Sequence, residues 1–176
     1  MCIRDRLDSV AWRDNGYELF TIASMAGSNL RGWFMPIAES PCLCLPKAEY
    51  LRLGGLDTRF NCAGGGLVNL DFFARALSVE EMAFIILLGE GSFHQVHGGA
   101  ATNSLVSVWK PFEQEYQSIR GRNYSVPQRP AQYFGSIPPQ CVRFMQSALN
   151  EMNVVVEGPG DEQGTPRLQA AEPDAP

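Results

Sequence analysis

The apolar run Ala83-Phe84-Ile85-Ile86-Leu87-Leu88 is the strongest single constraint on the fold. It is far shorter than the roughly 20 apolar residues that span a bilayer. It stops at Gly89-Glu90-Gly91. A short apolar run ended by glycines reads as a buried strand that delivers a loop to the edge of a sheet. The loop delivered here, Phe93-His94-Gln95-Val96-His97-Gly98-Gly99, holds both histidines of the chain. Ligand and catalytic groups of α/β proteins collect at strand ends. A neutral imidazole there is a good ligand for a divalent cation and titrates near physiological pH. The same loop also suits histidines that only tie it down by hydrogen bonds, because H-x-x-H without a third ligand does not specify a metal site.

Composition narrows the classes. With 176 residues, 45% hydrophobic and 19% charged, the chain reads as about one ordinary globular domain. A net charge of -5 gives no electrostatic case for nucleic acid or an anionic membrane. No apolar stretch reaches bilayer length, and the N-terminus lacks the pattern of a signal peptide. Five cysteines without C-x-x-C spacing, two of them (Cys42 and Cys44) on an apolar segment, read as reduced, mostly buried thiols in a cytoplasmic protein. The first six residues, Met1-Cys2-Ile3-Arg4-Asp5-Arg6, resemble the translation of a transposon end used in preparing sequencing libraries. Foreign segments are excluded from fold reasoning. The expectation is that native sequence starts near Leu7 and that the chain is a fragment.

Residues 17–24 alternate Tyr17, Leu19 and Thr21 against Glu18, Phe20 and Ile22, which predicts a strand. Residues 33–37 and 42–45 are two further extended candidates. Pro46 is placed to open a helix that Gly54-Gly55 stops. Asn69 is placed to cap the next helix, with Asp71 in its favourable first turn. Asn103 starts another helix, interrupted or restarted at Pro111, in which Phe112, Tyr116 and Ile119 share a face. Residues 121–135 read as irregular. A last helix from Pro138 carries Cys141, Phe144, Met145, Ala148, Leu149 and Met152 at core spacing. Residues 154–176 have too little apolar content to offset ordering and read as a disordered tail.

Three features stand in order: Gly54-Gly55-Leu56-Asp57-Thr58-Arg59-Phe60, a glycine-rich loop feeding the Asn69 helix, and the strand ending at the histidines. This order resembles the C-terminal half of the catalytic domain of glycosyltransferase family 2 and related nucleotide-sugar transferases of the GT-A fold. There the pattern runs G-G-[FL]-D-E-x-F, a glycine-rich loop, E-D-x-D-[LF]-x-x-R, then a strand and a histidine. The match takes in Gly54, Gly55, Leu56, Asp57 and Phe60, then Asp71, Phe72 and Arg75, then the histidine loop. It spans about a third of the chain, near residues 40–102.

The resemblance implies an α/β fold: a partial GT-A domain over residues 7–153, a mixed sheet flanked by helices, with the N-terminal nucleotide-binding half missing. It implies a nucleotide-sugar donor, an acceptor, and Mg or Mn held beside the diphosphate, with His97 slightly ahead of His94 as the late metal ligand. The family's Asp-x-Asp motif is absent from the chain. The positions matching its E-D pair are Val68 and Asn69, and an amide cannot serve as a carboxylate base. Asp71 and Glu39 stay as candidate catalytic carboxylates, each also readable as structural or solvated. Gly65, Gly66 and Asn69 are candidate substrate contacts, and Trp33 offers an aromatic face to a sugar ring. Arg120, Arg122 and Arg129 read as phosphate ligands or as solvated surface. Two alternatives stand beside the transferase: a metal-dependent hydrolase-like domain using His94 and His97 with Glu90 or Asp71, and a non-catalytic carbohydrate-binding remnant.

Overall fold

The computed structural model describes residues 3–35, 42–94 and 108–152, and the backbone of 154–156 and 168–170. Its helices are α1 (Ile3–Asp8), α2 (Leu19–Ile22), α3 (Lys47–Arg52), α4 (Val68–Leu77), α5 (Trp109–Arg120) and α6 (Val142–Glu151). Its strands are β1 (Ile85–Leu88), β2 (Gln132–Gly135), β3 (Val154–Val156) and β4 (Leu168–Ala170). The architecture is α/β. β1 and β2 form a two-stranded parallel sheet flanked by helices, and β3 pairs with β4 antiparallel, Val154 opposite Ala170. The expected single mixed sheet is thus two small sheets among the described residues. The chain divides into two compact units, Met1–Met35 with Leu87–Gly89 and Phe134–Pro176, and Pro36–Ile86 with Glu90–Tyr133.

In the first unit the expected strand over 17–24 is helical. A 3-10 turn, Gly16–Glu18, runs into α2, and the Asn15 side chain accepts the Tyr17 N–H at 3.1 Å to start it. Leu19, Phe20 and Ile22 are apolar in both phases of a two-residue period, so alternation never discriminated, and only Phe20 is buried. Residues 33–37 likewise begin as a 3-10 turn, Gly32–Phe34, and 36–37 lie outside the described residues. Phe20 packs edge-on against Phe144 with centroids 5.6 Å apart, and Trp33, Cys141, Ala148 and Leu149 are buried in the same unit. The core stripe of α6 is therefore as the spacing predicts. β3 and β4 both lie within residues 154–176, the stretch read as a disordered tail.

In the second unit α3 ends where the glycines require. Gly54 and Gly55 take φ 76° and 63°, and the Gly55 N–H reaches the Tyr50 carbonyl at 3.0 Å. α4 starts two residues earlier than read: Leu67 occupies the cap position without a side-chain hydrogen bond, so Asn69 sits inside the first turn. α5 runs unbroken through Pro111, whose missing N–H is harmless in a first turn, and ends at Gly121 in the left-handed conformation. The start expected at Asn103 lies outside the described residues. Phe112 and Tyr116 meet Phe60, Leu67 and Leu70 in one core cluster.

β1 forms inside the expected apolar run but is not buried, with Ile85 and Leu87 about half exposed (53% and 54%). Its partner β2 falls in the segment read as irregular. The Gln132 N–H donates to the Phe84 carbonyl at 2.8 Å, and the chain passes from one unit to the other within each of the two strands. Residues 42–45 form no strand, but they keep a period of two: Cys42 and Cys44 are exposed, Leu43 and Leu45 half-buried. The thiols thus correct the expectation of burial. Of the four whose exposure is described, only Cys141 is buried. No helix among the described residues is long and apolar enough to cross a membrane.

Candidate functional site

The two motif elements of the second unit are joined by one buried carboxylate. Asp71, on α4, is 1% exposed, and a carboxylate so placed is tolerated only when paired. Arg120 grips it with two nitrogens, Nε to Oδ1 at 2.6 Å and Nη2 to Oδ2 at 2.7 Å. Arg75, one turn on, adds Nε to Oδ2 at 2.8 Å. The other two nitrogens of Arg75 donate to the loop that precedes α4, to the Leu53 carbonyl at 2.5 Å and the Gly55 carbonyl at 2.7 Å. Arg120 also reaches Asp57 at 2.9 Å, and Asp57 in turn holds Arg59 through its backbone N–H and its guanidinium. Burial, the largest single influence, pushes the Asp71 carboxyl up. The hydrogen bonds from Arg120 and Arg75 and their charges together outweigh it, so the group is held below the usual carboxylate range. Asp57 is lowered further, chiefly by the hydrogen bonds from Arg59.

The glycine-rich loop is shaped from inside. Glu115 of α5 accepts the N–H groups of Asn61 and Cys62 on Oε1, at 2.6 and 2.9 Å. A Cβ on Gly66 would lie 2.6 Å from its other oxygen, and Gly66 holds φ 53° and ψ -128°, a region side chains rarely adopt. Burial, then Glu115, raises the neighbouring Cys62 thiol. Of the two glycines read as substrate contacts, Gly66 therefore makes room for an internal carboxylate, while a Cβ on Gly65, at φ 86°, would press on Val68 at 3.3 Å. Gly66→Ala should destabilise the fold by about 2–3 kcal/mol in urea denaturation. In Glu115→Ala the same glycine change should cost less, roughly 1–2 kcal/mol, for the backbone conformation and the remaining contact with the Cys62 Cβ.

Above this network lies a cavity of about 200 Å³ lined by Leu43, Leu45, Tyr50, Leu56, Asn69 and Phe72. Phe72 is buried, whereas Tyr50, Leu56 and Asn69 are exposed at its mouth. The rings of Tyr50 and Phe72 meet at 5.1 Å and 58°, forming a corner. Asn69 and Leu56 of the Gly-Gly-Leu-Asp loop thus line the same cavity.

The other expected residues fare differently. Trp33 belongs to the first unit and is buried there, 7% exposed, against Phe20, so it has no open face for a sugar. Glu39 and His97 lie outside the described residues, and His94 is exposed. Among the described residues no group of three or more His, Cys, Asp or Glu side chains is placed to hold a metal ion.

Arg120 and Arg129, read as phosphate ligands or surface, are internal ties. Arg129 donates to the carbonyls of Leu77, Val79, Glu80 and Met82. One signal pointed to Arg120: it stands four residues after the buried Tyr116, on the edge of the apolar stripe, where a cation requires a buried partner. Arg129 and Glu115 carry no such mark. No protein-family model, no curated protein and no solved structure matches the chain.

Proposed function

We propose that the chain is the acceptor side of a GT-A nucleotide-sugar transferase. One observation carries this reading. The residue at the motif position of the family's acceptor-facing acid, Asn69, opens on a cavity whose wall includes Leu56 of the Gly-Gly-Leu-Asp element. Two segments separated in sequence but consecutive in the motif converge on one concave surface, as ligand sites do.

In this role Asn69 donates or accepts a hydrogen bond at an acceptor hydroxyl and leaves the proton there. A general base must reach the proton it removes. Asp71 is enclosed, with both oxygens taken by arginines, so it acts as a positioning residue that fixes α4 against the loop at 53–57. Glu39 stays a candidate base. Of the two candidate cation ligands the described residues include only His94, and no step is derived through the ion. The chain has no Asp-x-Asp, so donor binding rests on groups outside the motifs matched here.

The test is sugar transfer by the complete product of the gene. It is supplied with Mn²⁺, a set of UDP-, GDP- and dTDP-sugars and a panel of glycosides, and products are read by mass spectrometry. The expected result is an acceptor heavier by one sugar, with kcat/KM falling by roughly tenfold to a hundredfold in Asn69→Ala as one hydrogen bond to the acceptor is lost. No transfer with any donor, from a protein that also binds none of the nucleotides, overturns the reading. Glycoside binding without transfer would favour the second reading, a carbohydrate-binding remnant, which the amide at position 69 also suits.

A further inference from the structure

Resting on the acceptor-side reading, we propose that the cavity takes an aryl group carried by the acceptor, with the sugar or hydroxyl to be modified lying outside at Asn69. Five of its six lining side chains are apolar or aromatic: Leu43, Leu45, Tyr50, Leu56 and Phe72. A bare sugar would leave most of its hydroxyls facing leucines, and each polar group desolvated without a partner is costly. The size is right for a ring. Cavities of roughly 150 Å³ lined by Leu, Ile and Phe bind benzene, and this one measures about 200 Å³.

The walls favour a flat group over a chain. Tyr50 and Phe72 stand at 58° with centroids 5.1 Å apart, so a third ring inserted at the corner meets one of them face-on and the other by its edge. The corner is held rigidly. Tyr50 packs on Gly55, where a Cβ would fall 2.9 Å from its hydroxyl, and Arg75 lies over the Phe72 ring, 5.2 Å from its centroid. Opposite, Leu43 and Leu45 present the apolar side of their segment while Cys42 and Cys44 are exposed. Asn69 is the lining's amide, and a ligand with a polar end beyond its ring meets it at the mouth.

The experiment is ligand-observed NMR on the full chain with phenyl, octyl and methyl β-glucosides, each titrated for Kd. Burying one ring should make the phenyl glucoside bind at least roughly tenfold tighter than the methyl glucoside. Leu56→Ser and Leu43→Ser, both at positions that are not fully buried, should each weaken the phenyl glucoside about fivefold or more and leave the methyl glucoside unchanged. Circular dichroism of the variants checks that they fold as the parent does. Equal affinity for phenyl and methyl glucosides overturns the proposal, as does phenyl binding that survives both serine variants. Octyl binding as tight as phenyl overturns the aryl assignment. Phenyl-selective binding with no transfer by the complete gene product leaves this inference standing and removes the transferase. Transfer to methyl glucoside as readily as to phenyl does the reverse.

Discussion

Asp71→Ala should cost about 3–5 kcal/mol of stability, the usual loss when one partner of a buried ion pair is removed. The variant leaves Arg75 and Arg120 side by side without the carboxylate that joined them, and Arg75 loses the anchor that orients it toward the Leu53 and Gly55 carbonyls. Urea denaturation at neutral pH reads the effect. Replacing Arg120 by methionine in the same background should recover part of the loss, since it removes one of the two cations left without their buried carboxylate. No recovery would mean that Arg120 is needed for its link to Asp57 as well. The pH dependence has a definite sign. A carboxyl held below its unfolded value contributes stability that is complete above about pH 4 and is lost as pH falls through the folded value. The gap between parent and Asp71→Ala should therefore narrow below about pH 4, and a constant gap down to about pH 2 would rule out the ionised pair as its source.

Gly89→Ala is expected to be comparably severe, at least about 3 kcal/mol, for a different reason. Gly89 ends β1 at φ 78°, and an added Cβ would overlap the Ser136 carbonyl oxygen and the Pro138 ring, neither of which is a flexible chain end. Its own carbonyl accepts the buried Cys141 thiol at 3.6 Å, so the strand end cannot simply swing away. Two controls separate the causes. Gly121→Ala has φ 69° and open space around its Cβ, and should cost only the left-handed penalty, roughly 1–2 kcal/mol. Gly16→Ala has neither restriction and should stay within about 0.5 kcal/mol of the parent. If Gly89→Ala loses no more than Gly121→Ala, close packing at the end of β1 is not a constraint.

What could be read from the chain followed the strength of local signals. α3, α4, the apolar face of α5 and the stripe of α6 were legible from helical periodicity, helped by a proline start and a glycine stop at α3, a proline before α6 and a glycine stop at α5. The segment around Tyr17 was misread because large apolar residues fill both phases of its alternation, leaving Asn15 to decide for a helical turn. β2 escaped because Gln132, Tyr133, Phe134 and Gly135 are all exposed and carry no buried face. At the site, the motifs singled out Asn69 and the Gly-Gly-Leu-Asp loop separately, and their sharing of one cavity was not read from the sequence. The partners of Arg120 and Glu115 lie 49 to 63 residues away, and pairing at that range leaves no spacing to read, whereas Asp71 and Arg75 stand four apart on one helix.

Arg129 bears on how the chain is made. The carbonyls it collects, from Leu77 to Met82, lie 47 to 52 residues upstream of it. At synthesis rates of about 5–20 residues per second, the ribosome needs several seconds to cover that interval. Throughout that delay the carbonyls of Leu77, Val79, Glu80 and Met82 have been synthesised without the guanidinium that gathers them. The nascent chain therefore has a built-in waiting period, in which the first half of the second unit is exposed to chaperones and proteases before its closing residue emerges.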